Sequence, residues 1–144
     1  MRFPRAFDAV RPEAPLHAAR DEDHERVARM LASDRAGWSH EDINVVMSRA
    51  QTTIGGPETF KWVLPSFLIR SAAAPSYGWI TVPEVLADKL DYAGFDSWQA
   101  DQREAILDML IEWLESDSIF GADDPVGTAD AQVALRAWLT RRRP

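Results

Sequence analysis

The side chains best placed to do chemistry in this sequence are carboxylates. Asp101, Glu104, Asp108, Glu112 and Glu115 recur at three- and four-residue intervals. At about 100° per residue, that spacing collects them on one narrow face of a helix. At a rise of about 1.5 Å per residue they span about 21 Å of its length. Across the same helix Ile106, Met109, Leu110, Trp113 and Leu114 form a core-facing stripe. Arg103 lies off the acidic line, so Glu104–Asp108 and Asp108–Glu112 are like-charge i,i+4 pairs, each costing about 0.2–0.5 kcal/mol when exposed. A catalytic carboxylate pair belongs in a cleft with mixed polar and aromatic company. An open stripe of this length is not such a place. Three readings stay open: a solvated face, internal pairing with Arg136 or Arg141–Arg143, and a docking surface for a cationic partner.

The other candidates for chemistry are weaker. His17, His24 and His40 are the only histidines, and HERVA at 24–28 lacks the second histidine of a zinc-binding HExxH helix. His24 and His40 stand in acidic surroundings, DEDHE and SHED, which a solvated polar face explains better than a metal site. Asp123 and Asp124 precede a proline and lack the spaced oxygens of a calcium loop. No phosphate loop, dinucleotide fingerprint or nucleophile elbow is present. Gly55–Gly56 is followed by Pro57, which removes a backbone donor that phosphate binding needs. With no cysteine in the chain, disulfides, thiolate metal sites and cysteine nucleophiles are excluded together. The expectation is a protein that is not an enzyme and takes no cofactor or metal.

The stripe must be positioned by a core, and 144 residues are enough for one domain. Hydrophobic residues at 46% and charged residues at 27% place the chain among ordinary globular proteins. The net charge of −7, from 23 acids and 16 bases, argues against nucleic acid, whose recognition rests on cationic contacts to phosphate. No apolar run approaches bilayer length, and MRFPRAFDAV lacks the apolar block of a signal peptide, so no membrane role and a cytoplasmic location are expected, with export by a route the sequence does not show as the alternative. The six tryptophans are spread evenly, as core anchors would be.

The central element is GGPETFKWVLPSFLIRSAAAP, residues 55–75. Phe60, Val63, Leu64, Phe67 and Leu68 fall on one helical face, with Trp62 and Ile69 apolar on the other, so neighbours should wrap this helix. Pro65 should kink or restart it. Residues 1–20 read as an arm packing on the body through Phe3 and Phe7, with a mobile tail as the alternative. Residues 21–144 read as a single helical domain. Within it, Val27, Met30 and Leu31 stripe a helix at 21–34, and Arg35–Gly37 is a turn. Ser39 caps the next helix, with Asp42 three residues on as a short version of the capping box, and the buried stripe is Ile43, Val46, Met47 and Ala50. Tyr77 and Trp79 fold back on the core. Thr81 and Glu84 form a capping box for a helix striped by Val82, Val85, Leu86, Leu90 and Ala93, and Gly94 stops that helix. Ser97 starts the longest helix, about 98–118. Residues 121–128 form a loop, and a last helix over about 129–142 buries Ala131, Ala134, Leu135, Trp138 and Leu139. With no period-two alternation, the fold class is all-α, one compact domain of five or six helices around a proline-interrupted central helix.

Two stretches carry a resemblance. Pro57, Glu58, Phe60, Leu64, Pro65, Phe67 and Leu68, followed later by Phe95, Trp98, Gln102, Arg103, Ala105 and Ile106, resemble the core-helix and Q-R-x-A-I patterns of a group of small bacterial helical proteins. The match covers roughly 38–115 and implies a shared fold without a shared activity, since no catalytic residues come with it. Lys61 and Trp62 stand where side-by-side aromatics are expected.

The functional expectation is a non-enzymatic protein-binding module. Its concrete form is a bacterial immunity or antitoxin-type inhibitor whose partner is a basic toxin domain, met by the acidic stripe. The alternative is a structural or homo-oligomeric subunit of a larger assembly, a homodimer through an exposed tryptophan patch.

Overall fold

The computed structural model describes residues 1–12, 17–116 and 125–144, with the side chains of the last helix from residue 132 onward. Among these described residues six α-helices follow in order: α1 Asp21–Leu31, α2 His40–Arg49, α3 Pro57–Ala73, α4 Pro83–Tyr92, α5 Ala100–Glu115 and α6 Pro125–Thr140. Short 3-10 turns stand at Arg5–Phe7, Arg35–Gly37, Pro75–Tyr77 and Phe95–Ser97. Among the described residues there is no strand, only isolated bridges from Ile54 to Ala18 and Ala50. The fold is all-α, a single compact domain as the periodicity required.

Helix α3 is the axis of the packing. It starts at Pro57, where a fixed φ suits the first helical position, and buries residues all round: Phe60, Trp62, Val63, Leu64, Pro65, Phe67, Leu68 and Ser71. The helix runs unbroken through Pro65. The expected restart does not occur, because burial on every side holds the turn that lacks its hydrogen bond. Helix α2 packs on one flank and α5 on another, while α4 packs against α6. Five tryptophans, Trp38, Trp62, Trp98, Trp113 and Trp138, are buried. Trp79 is half-buried, its indole edge on Phe67 and its Nε1–H donating to the Ala74 carbonyl at 2.7 Å. An exposed tryptophan patch therefore does not exist among the described residues. The large apolar side chains left outside are Tyr92, Ile80, Val133, Tyr77, Val85 and Leu31. Leu31 and Val85 were expected inside, but each falls at the edge of its helix's buried stripe.

The N-terminal segment lies on α3 and α5. Phe7 is fully buried, Phe3 packs at the edge of the core, and buried Gln102 on α5 donates from Nε2 to the Ala6 carbonyl at 3.2 Å. Residues 17–19 run beside the α2–α3 loop, with Gly55 N–H donating to the His17 carbonyl and Ala19 N–H to the Thr53 carbonyl.

Several boundaries differ from the sequence expectation, each for a local reason. Ser39 caps α2, accepting from Asp42 N–H at 3.1 Å, but the Asp42 carboxylate turns away to Arg26 and Arg29. Thr81 caps nothing. Val82 occupies the cap position, and the Thr81 hydroxyl is buried without a partner. Gly94 does terminate α4, with φ 67° in the left-handed region that favours glycine. Ser97 donates back to the Gly94 carbonyl, so the chain makes a 3-10 turn and α5 begins only at Ala100. Among the described residues the longest helix is α3, at 17 residues. Residues 125–128, expected as loop, belong to α6 because Pro125 is suited to open a helix. Ala134 is exposed, and the side chain of Ala131 together with residues 117–124, which hold the other half of that loop, lies outside the described residues.

Candidate functional site

The acidic face is real, and its occupants are specific. Helix α5 turns Ile106, Met109, Leu110, Trp113 and Leu114 inward, which leaves Asp101, Glu104, Asp108, Glu112 and Glu115 on the outer surface. Asp101 bonds its own helix start, accepting from Gln102 N–H at 2.8 Å. This is favourable at the positive end of a helix dipole. Glu104 and Asp108 hold one guanidinium between them: Arg143 Nη2 meets Glu104 and Nη1 donates to Asp108 at 2.6 Å. Glu112 lies 3.2 Å from the amino group of Met1. Glu115 is exposed and has no partner among the described residues.

Arg143 is brought there by α6. Leu135, Trp138 and Leu139 bury that helix, and the Trp138 indole donates to Asp91 on α4 at 2.7 Å. One residue before Arg143, Arg142 stacks its guanidinium 3.8 Å over the Trp138 ring and pairs with both carboxylate oxygens of Asp96 at 2.9 Å. Packing of α6 thus delivers the C-terminal arginines to α4 and α5. Hydrogen bonds to Asp108 and then Glu104 raise the Arg143 pKa above its already high ordinary value. The guanidinium therefore stays charged at any relevant pH. Arg136, the other base considered for this face, instead donates to the Leu114 carbonyl and Gln132.

The histidines do not assemble with the stripe. His24 lies 3.1 Å from the Ala18 carbonyl. His40 is no solvated residue: it is half-buried at the start of α2, edge-on to Tyr77 at 5.3 Å and Trp79 at 5.5 Å. Among the described residues no three histidine or acidic side chains converge as metal ligands do, and no helix is long and apolar enough to cross a membrane.

Two features escape a linear reading. Lys89 on α4 donates to the Ser48 and Ala50 carbonyls at 3.3 and 2.8 Å, capping the C-terminal end of α2, and burial lowers its pKa. Next to it, Gln51 holds φ 70° and donates to the Lys89 carbonyl. An apolar groove of about 430 Å³ opens there, bordered by Val85, Tyr92 and Thr52. No local motif marks either contact, because α2 and α4 meet only through the tertiary fold.

Taken together, fold and surface define an all-α domain with a carboxylate face along the outer side of α5. Compared with known proteins, the chain matches no family model, no curated relative and no solved structure.

Proposed function

We propose that this chain is a non-enzymatic protein-binding module whose partner is basic, with the outer face of α5 as the contact. The observation that carries the reading is the guanidinium of Arg143 held between Glu104 and Asp108, both largely exposed at 64% and 71%. The i,i+4 carboxylates form a ready seat for an arginine, and an exposed ion pair of this kind is worth only about 0–1 kcal/mol. A partner's guanidinium can replace Arg143 at little cost, while Asp101, Glu112 and Glu115 extend the field along the helix. Complementary charge of this sort speeds association and sets orientation. A bacterial immunity or antitoxin-type inhibitor of a basic toxin, acting in the cytoplasm, is the concrete form of this reading.

The test compares three proteins as baits in host-cell lysate and then with the purified partner. They are the wild type, the triple Glu104→Gln, Asp108→Gln, Glu112→Gln variant, and Arg143→Gln. The triple variant should associate more slowly and lose its salt dependence, whereas Arg143→Gln, which frees the seat, should associate faster. A partner that is acidic, or one bound equally by all three proteins at low salt, refutes the reading.

The second reading is a homo-oligomeric subunit of a larger assembly. It is favoured by Tyr92, 72% exposed on the rim of the α4 groove with Val85 beside it. A sedimentation coefficient that falls to the monomer value in Tyr92→Ser would establish it over the first.

A further inference from the structure

The N-terminal segment, Asp34–Ala36 and α3 together border a half-open cavity of about 350 Å³. Small-molecule pockets occupy roughly 300–1,000 Å³, so this one suits a ligand at the small end. Phe3, Asp8, Asp34, Arg35, Ile69 and Arg70 line it. None of the four charged side chains is in an ion pair with a described residue. Arg26, Arg49, Arg142 and Arg143, by contrast, each contact a carboxylate. Arg35 donates only to the Phe7 and Val10 carbonyls, both at 3.1 Å, and its buried Nε–H has no acceptor. Arg70 donates to the Ala36 carbonyl at 2.9 Å. Asp8 and Asp34 act on Arg35 only beyond contact distance. The Phe3 ring stacks 4.5 Å from the Arg35 guanidinium and, with Ile69, supplies an apolar wall.

Two cations and two anions thus face one small space without neutralising each other in contact. A simple anion entering it gains from the arginines and is repelled by the aspartates; a simple cation meets the reverse. A neutral apolar molecule leaves all four unpaired. Only a ligand carrying both charges gains at both ends, through charge-assisted hydrogen bonds of the stronger kind.

We propose that this cavity binds a small zwitterion of the α-amino-acid class with an apolar side chain. Arg35 and Arg70 take its carboxylate, Asp8 and Asp34 its ammonium, and Phe3 with Ile69 its side chain. The state of Arg35 fits this. Burial first, and Arg11 second, lower its pKa, and a ligand carboxylate would oppose both by favouring the charged guanidinium. The site shares no residue with the acidic face of α5, so it stands or falls independently of the partner reading.

The experiment is a titration followed by proton–nitrogen correlation spectra, read at the Arg35 Nε–H and the Ala36 and Arg70 amides. The probes are L-leucine, L-leucinamide, which lacks the carboxylate, and N-acetyl-L-leucine, which lacks the ammonium. Leucine should move these signals saturably at millimolar concentration. Each singly charged analogue should bind at least about tenfold more weakly, a factor that one lost charge contact readily supplies. Arg70→Gln and Asp34→Asn, with signals remote from the cavity unchanged, should each weaken leucine by a similar factor. No saturable movement with leucine overturns the proposal. So does equal affinity for either analogue, or wild-type affinity in both variants.

Discussion

Arg49→Gln tests how the first two helices are joined. Asp23 sits in the first turn of α1 with its side chain wholly buried, and its Oδ1 accepts from Arg49 Nη1 at 2.7 Å. Its Oδ2 has no hydrogen-bond partner, so Arg49 is the one base in contact with this carboxylate among the described residues. Removing one member of a buried pair costs about 3–5 kcal/mol, because the other charge stays behind uncompensated. Here Arg49 keeps 31% of its exposure, so water reaches the pair from one side. The loss should therefore fall to about 2–3 kcal/mol. Asp23→Asn should cost less, about 1–2 kcal/mol, since the arginine left behind is partly solvated and still lies 3.8 Å from exposed Glu22. In the double variant no buried charge remains, and its stability should lie no lower than that of Arg49→Gln alone. The cycle then yields a coupling of at least about 1 kcal/mol. Urea denaturation measures all four proteins, with m unchanged if only stability moves. Against a total of about 5–15 kcal/mol such losses are easily resolved. An Arg49→Gln midpoint indistinguishable from wild type, or strict additivity in the cycle, would falsify the claim that this pair fastens α1 to α2.

Two further outcomes are expected. Phe67→Ala empties a fully buried site against Trp79 and Trp113 and should cost about 3–5 kcal/mol by thermal or urea melting. Pro65→Ala, which restores a helix donor at the loss of a local constraint, should be far milder, and comparable losses for the two would show that packing around α3 is misread. Burial holds Lys89 below its ordinary value of 10.5. Between its folded value and 10.5 the unfolded chain binds more protons than the folded one, so stability from this group rises with pH across that window; below it, the cost of the buried ammonium is constant. Lys89→Met should flatten the alkaline limb of the stability curve, and an unchanged slope contradicts the assignment.

What could be read from the sequence was periodicity, and what could not was pairing across it. The apolar spacing of α2, α3 and α5 identifies buried faces because those helices touch several neighbours, so one face or nearly the whole circumference must be apolar. Val85 and Leu31 sit at stripe edges, where only the position of the neighbouring helix decides exposure. Thr81 and Ser97 carry cap-like chemistry, yet their backbones are not where a cap is needed, and a hydroxyl then bonds locally or not at all. The four charged residues of the amino-acid-sized cavity come from residues 8, 34, 35 and 70. No spacing rule joins positions so distant along the chain.

The acidic face shows the same division at the level of function. Its helical projection follows from sequence alone, and so does the cost of its like-charge neighbours. That cost is offset by Arg143, which reaches Glu104 and Asp108 because Trp138 is buried beside Asp91 and turns the last residues toward α5. Seating of α6 and charge on α5 are therefore linked. Any partner that takes the Glu104–Asp108 seat displaces Arg143 but leaves Arg142, which is fixed independently by Asp96 and the Trp138 ring. The displaced segment is thereby limited to the end of the chain beyond Arg142, and α6 keeps its packing on α4. On the proposed reading, a basic partner displaces only this pairing and leaves the packing of α6 in place, as a fast, reversible electrostatic contact requires.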